Sequence, residues 1–166
     1  TAKDAMAVMP PHDHHLAYAT QTTLSVDDTK EIIAILKTRF PHINGPKSED
    51  ICYATTNRQQ AVKDIAPMVD LLLVIGAENS SNSKRLVEVG KLAGVREAML
   101  IAGAEAIDWS YISSANRVGI TAGASAPEEL VEDVIAAIAN RYDITMDRHI
   151  TATETIAFNL PPLLRH

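Results

Sequence analysis

The chain has 166 residues, 46% hydrophobic and 22% charged, enough to bury a sizeable core in one large domain or two small ones. Its 21 acidic against 15 basic residues give a formal charge of -6, which argues against a nucleic-acid binder that works by neutralising phosphates. A single cysteine excludes an internal disulfide framework and a Cys-rich zinc site; no apolar run reaches the ~20 residues of a membrane span, so no membrane partner and a cytoplasmic location are expected.

The opening, Thr1–Pro11, reads neither as a leader nor as a strand. His12, His14 and His15 read as a solvated histidine run, since a metal site needs further ligands in fixed geometry. Leu16–Ala19 is short and apolar, and the polar run Thr20-Gln21-Thr22-Thr23 follows it. Ser25 supplies a capping hydroxyl, Asp27 and Asp28 supply first-turn acids, and Ile32, Ile33, Leu36 and Phe40 recur at helical spacing. A helix from about Val26 to Arg39 is expected, ended by Pro41, with Pro41–Asp50 as a loop or domain junction.

After Cys52 the polar string Thr55–Gln59 leads into a helix through Ala61, Val62, Ile65 and Ala66. The thiol has two readings from its neighbours: a buried, inert cysteine, which is the commoner fate, or a thiolate favoured by a helix start near Thr55–Asn57. Leu71–Ile75, closed by Gly76, is a continuous apolar run of the kind found in a parallel strand covered on both faces. A helix from about Asn82 to Leu92 follows, with Leu86, Val89 and Leu92 on one face. Ala98–Ile101 and Val118–Thr121 are two further strands, and Pro127 opens a helix with Leu130, Val131, Val134, Ile135 and Ile138 on its apolar side. Trp109 and the two Phe are packing residues. The alternation gives an α/β fold, parallel-sheet layers with helices on both faces.

Two loops carry the chemistry. Asn79-Ser80-Ser81-Asn82-Ser83 follows the first strand and Thr121-Ala122-Gly123-Ala124-Ser125 the third. Both fall at the carboxyl ends of parallel strands and before helices, where open α/β sheets bind ligands and helix N–H groups favour anions. The plainer reading is that they only cap helices and form turns. No Walker or dinucleotide glycine fingerprint is present, and Lys84 and Arg85 lie past the loop on the helix. Neutral donors of this kind suit a small phosphorylated or diphosphate metabolite.

The run Asp50-Ile51-Cys52-Tyr53-Ala54-Thr55-Thr56-Asn57-Arg58-Gln59 closely resembles a signature of the 4-hydroxy-3-methylbut-2-enyl diphosphate reductase family, also called LytB. Three more blocks resemble the family in the same order: Thr20–Ser25, Asn79–Ser83 with Arg85-Leu86, and Val118–Pro127. The tail Thr155–Leu164 resembles the family's end. The resemblance implies three similar α/β domains around a [4Fe–4S] cluster held by one cysteine from each. It implies a two-electron reductive dehydroxylation giving isopentenyl and dimethylallyl diphosphates in the methylerythritol phosphate route to isoprenoids, with ferredoxin or flavodoxin as electron donor. Carried over by position, Cys52 is the third-domain cluster ligand. Ser80, Ser81, Asn82 and Ser125 hold the diphosphate, and Thr22 sits near the substrate's hydroxyl end as an orienting or proton-handling group.

A full-length family member is about twice this long, so the resemblance implies a C-terminal portion. Residues 1–47 would end the second family domain, 48–145 form the third, and 146–166 form the tail. By the same resemblance, the N-terminal half would supply the other two cluster cysteines, histidines that help hold the diphosphate and a glutamate that relays protons. With one cysteine, the chain alone is expected to hold no stable cluster and to be inactive. The alternative is a free-standing α/β phosphate-binding module without redox chemistry.

Overall fold

The computed structural model describes residues 1–11, 15–46 and 51–152. His12, His14, Asp50 and the tail Thr155–Leu164 therefore lie outside the described residues. The elements in chain order are α1 (Ala2–Ala7), α2 (Val26–Arg39), α3 (Tyr53–Ile65), β1 (Leu71–Ile75), α4 (Ser81–Leu92), β2 (Glu97–Ile101), α5 (Trp109–Ser113), β3 (Val118–Ala122) and α6 (Glu128–Ala139). No helix among them is long and apolar enough to cross a membrane.

The three strands form one parallel sheet in the order β2-β1-β3. Leu71 is level with Glu97 on one side and Val118 on the other, and Ile75 with Ile101 and Ala122. All five residues of β1 are buried, as an uninterrupted Leu/Val/Ile run at the centre of a parallel sheet requires. Alternate side chains go to opposite faces. Leu72 and Val74 pack with Val62 and Ala66 and with Leu86 and Val89 of α4. Leu71, Leu73 and Ile75 pack with Ile107, Ile112, Val134 and Ile138 on the other side. Helices α3 and α4 thus cover one face, α5 and α6 the other. Each fully buried Leu, Ile or Val is worth about 1.5–3 kcal/mol, so this double core fixes the strand ends firmly.

Ahead of the sheet, Ser25 accepts the Asp28 N–H at 3.2 Å and caps α2, as its sequence position foretells. Leu16–Tyr18 runs beside Ile43–Asn44 through two backbone bonds of 2.9 Å, from Tyr18 N–H to the Asn44 carbonyl and from Asn44 N–H to the Leu16 carbonyl. The opening adds an element, and two expectations are corrected. The opening is helical over Ala2–Ala7, because Thr1 and Asp4 cap each other's backbone and Ala5 is buried. Helix α3 begins at Tyr53, so Thr55–Gln59 lie inside it rather than leading into it. Leu92 is 80% exposed, since it stands at the last turn of α4, beyond the reach of the sheet.

Candidate functional site

The chain leaves β1 to form β2 on one side and then crosses to form β3 on the other. The strand order therefore reverses beside β1, and the crevice at its carboxyl end is the position where doubly wound sheets bind ligands. Two segments meet there. Gly76 continues the β1 ladder by donating its N–H to the Ile101 carbonyl at 3.0 Å, and Gly123 does the same from β3 to the Ile75 carbonyl at 2.9 Å.

Ser83, in the first turn of α4, fills the gap between these glycines. A Cβ on either Gly76 or Gly123 would stand 2.2 Å from the Ser83 hydroxyl oxygen, so no larger residue fits while that oxygen is in place. Ser80 caps the helix: its oxygen accepts the Ser83 N–H at 3.2 Å and the Ser83 hydroxyl at 3.0 Å. A hydroxyl has two acceptor lone pairs and one hydrogen; with both lone pairs engaged, the Ser80 hydrogen is left to donate.

Asn82 stands beside them. A Cβ on Gly123 would lie 3.7 Å from its Nδ2. Asn82 is 8% exposed, and neither Nδ2 nor Oδ1 has solvent contact or a hydrogen-bond partner. It is the one side chain orphaned in this way among the described residues. Burying an unpaired polar group costs about 1–3 kcal/mol, a cost that a polar guest in the crevice would remove. Ser81 and Ser125 are exposed on the same rim; Ser125 lies in the turn closed by the Ala126 N–H on the Gly123 carbonyl at 3.0 Å.

Charge is distributed to match. The first turns of α2 and α6 carry Asp27 with Asp28 and Glu128 with Glu129, which complement the positive helix ends. The first turns of α3 and α4 carry no acid. Of the two loops read from the sequence, only the one before α4 therefore offers an uncompensated helix start; Ser125 contributes from a turn. Arg85 is engaged by Glu88 and, at 4.0 Å, by Asp28, so it is held by carboxylates rather than offered to the crevice.

Cys52 is the residue before α3, and its side chain makes no capping bond. It is exposed, which corrects the reading of a buried, inert thiol: α3 begins one residue later and leaves the side chain outside the core. Its N–H donates to the Thr22 carbonyl at 3.3 Å, so two residues 30 positions apart meet through the backbone. Gln59, 1% exposed, holds that junction. Its Nε2 donates to the Leu24 carbonyl at 2.8 Å, and its Oε1 accepts the Val26 N–H at 3.0 Å. Arg58 donates from Nε to the Ala122 carbonyl at 3.0 Å and ties α3 to the end of β3. Among the described residues no group of three or more His, Cys, Asp or Glu is placed to hold a metal ion.

A sequence model of the LytB protein family matches residues 1–139. The chain belongs to that family. It is 56% identical over 165 residues to the 4-hydroxy-3-methylbut-2-enyl diphosphate reductase of Paracoccus denitrificans, covering 99% of this chain and 52% of that protein. It is 56% identical over 164 residues to the enzyme of the same name from Hyphomonas neptunium, again 99% of this chain and 52% of the other. The chain thus spans about half the length of these relatives. Among solved structures it resembles the Plasmodium falciparum E-1-hydroxy-2-methyl-but-2-enyl-4-diphosphate reductase, with a TM-score of 0.76 and 36% identity over 84% of this chain and 43% of that one.

Within this LytB chain, three residues that matter to the site were not singled out from sequence: Ser83, Arg58 and Gln59. Gln59 carried a signal, because Thr55, Gln59, Val62 and Ala66 share one helical face and all are buried. A glutamine on such a stripe must find partners. Ser83 carried a weaker one, as the last residue of a loop flanked in space by two glycines that sequence alone does not bring together.

Proposed function

We propose that this LytB chain is the diphosphate-holding portion of the reductase that converts 4-hydroxy-3-methylbut-2-enyl diphosphate to isopentenyl and dimethylallyl diphosphates. The observation that carries the reading is the buried, partnerless amide of Asn82 at the switch point. Its N–H₂ group, the Ser80 and Ser81 hydroxyls and the free N–H groups of α4 form a set of neutral donors, with Ser125 on the adjoining turn. They bind the diphosphate end and orient the rest of the substrate along the rim. Thr22, held beside Cys52 through its carbonyl, orients the hydroxyl end or the group that protonates it.

The donor set fits one corner of a [4Fe–4S] cluster and not a whole one. Cys52 offers an exposed thiol at an acid-free helix start, but such clusters take several thiolates and the sequence holds one. Cys52 would be one ligand, with the others coming from outside these 166 residues. When bound, the cluster supplies the electrons, received from a ferredoxin or flavodoxin, and an iron for the departing oxygen. Arg58 and Gln59 keep the Cys52 corner registered against the end of β3 and the start of α2.

Anaerobic reconstitution with iron and sulfide tests this. The chain alone should stay colourless and show no turnover with a reduced viologen. Combined with the complementary half of a LytB reductase, it should gain colour and turnover, and Cys52→Ser should abolish both. About four irons held stably by a monomer, or full turnover by the Cys52→Ser assembly, would overturn the proposal.

A further inference from the structure

We infer that Ser83 is the positioning residue of this anion site: it does not touch the guest but aims the Ser80 hydrogen at it and locks the two loops together. The inference rests on the reading of the α4 rim as a diphosphate site. Ser83 is 1% exposed and its hydroxyl is already spent on Ser80, whereas the Asn82 amide is unpaired, so Ser83 is not the group offered to a guest. Its hydroxyl donates to the Ser80 oxygen at 3.0 Å, and its N–H donates to the same oxygen at 3.2 Å. Those two bonds use the acceptor positions of Ser80 and leave its hydrogen to be donated elsewhere. Without the Ser83 hydroxyl, the Ser80 hydrogen gains other orientations, and a guest must select the productive one.

The same oxygen wedges the loops. It stands 2.2 Å from the place of a Cβ on Gly76 and 2.2 Å from one on Gly123. The two glycines are not equivalent. Beyond the oxygen, the next nearest atoms to a Cβ on Gly123 are the Ser83 Cβ at 3.5 Å and Asn82 Nδ2 at 3.7 Å, which are ordinary contacts. A Cβ on Gly76 meets the Ser83 Cβ at 2.8 Å, which is a clash that removing the oxygen does not relieve. Ser83→Ala should therefore rescue Gly123→Ala and fail to rescue Gly76→Ala.

Calorimetric titration with inorganic pyrophosphate, paired with thermal melts of every variant, tests both halves. Ser83→Ala should weaken pyrophosphate binding about three- to tenfold, the worth of one oriented hydrogen bond. Ser80→Ala should weaken it as well, and adding Ser83→Ala to Ser80→Ala should change nothing further, because the effect runs through Ser80. Should Ser83→Ala alone not fold, Gly123→Ala/Ser83→Ala, whose added methyl occupies the vacated space, carries the same titration. In the melts, Gly123→Ala should lose Tm and the double variant recover it. Absence of binding by the unsubstituted chain overturns the diphosphate reading and the Ser83 role with it. Equal binding by the unsubstituted chain and Ser83→Ala, an undiminished Ser83→Ala effect in the Ser80→Ala background, or no recovery of Tm overturns the Ser83 role alone.

Discussion

At the scale of single residues the site is defined by what its side chains lack. Asn82 keeps both ends of its amide buried and unpaired, a cost in the folded chain that a polar guest would remove. Asn82→Leu, of similar volume, should then stabilise the unliganded chain by about 1–3 kcal/mol in urea unfolding while abolishing pyrophosphate binding. A loss of stability would show that Asn82 has partners in the folded chain. The residues at this site were legible in the sequence as a set of small donors at strand ends. Their division of labour was not. Nothing in the letters separates Asn82, orphaned, from Ser83, wedged between two glycines distant in the chain, because both facts depend on β1 and β3 lying side by side. The exposure of Cys52 was not legible for a related reason: α3 begins at Tyr53, ahead of the Thr55–Asn57 start that the polar string suggests, and the thiol stands just outside it.

At the scale of elements, periodicity predicted α2, α4, α6 and the three strands within a residue or so at most ends, because their apolar faces meet a sheet or a capping residue that the sequence announces. The short elements α1 and α5 escaped it. Each has fewer than eight residues and is held by a local cap, Thr1 with Asp4 in one and Asp108 in the other, rather than by a readable apolar stripe. The junction of α2 with α3 also depends on one side chain. Gln59→Leu would strand the Leu24 carbonyl and the Val26 N–H, so it should cost about 1–3 kcal/mol and speed amide exchange at Val26 above that of residues in β1. Unchanged exchange at Val26 would mean that α2 is fixed by other contacts, such as the Lys63–Asp27 ion pair. The same variant should loosen Thr22 relative to Cys52 without disturbing Ser80 and Ser83, which separates the two ends of the rim.

At the scale of the whole molecule, the sheet has a binding end and a structural end. Asp70, just ahead of β1, works at the second. Its carboxylate accepts the Arg117 and Asn116 N–H groups, each at 3.0 Å, and these bonds hold its pKa below the ordinary carboxylate value, with weaker help from Arg96 and Arg117. A depressed folded-state pKa stabilises above the unfolded value of about 3.9 and is lost as pH falls through the folded value. Asp70→Asn should therefore melt lower than the unsubstituted chain above pH ~5 and converge with it in acid; parallel curves would show that the two bonds carry no charge-linked stability.

The remaining question is whether the rim is one site. A chain that spans about half of its relatives offers a direct answer, since the neutral donors of the α4 rim lie within these 166 residues. Pyrophosphate titrated into the ¹⁵N-labelled chain reports on donors and their immediate neighbours along the rim: the Asn82 side-chain N–H₂ signal and the backbone amides of Ser81, Ser83, Gly123 and Ser125. The expected result is that all five move along one saturating curve, and that the curve vanishes in Asn82→Leu. A stationary Asn82 side-chain signal, or shifts confined to exposed Lys and Arg residues elsewhere, would contradict a diphosphate site at the switch point.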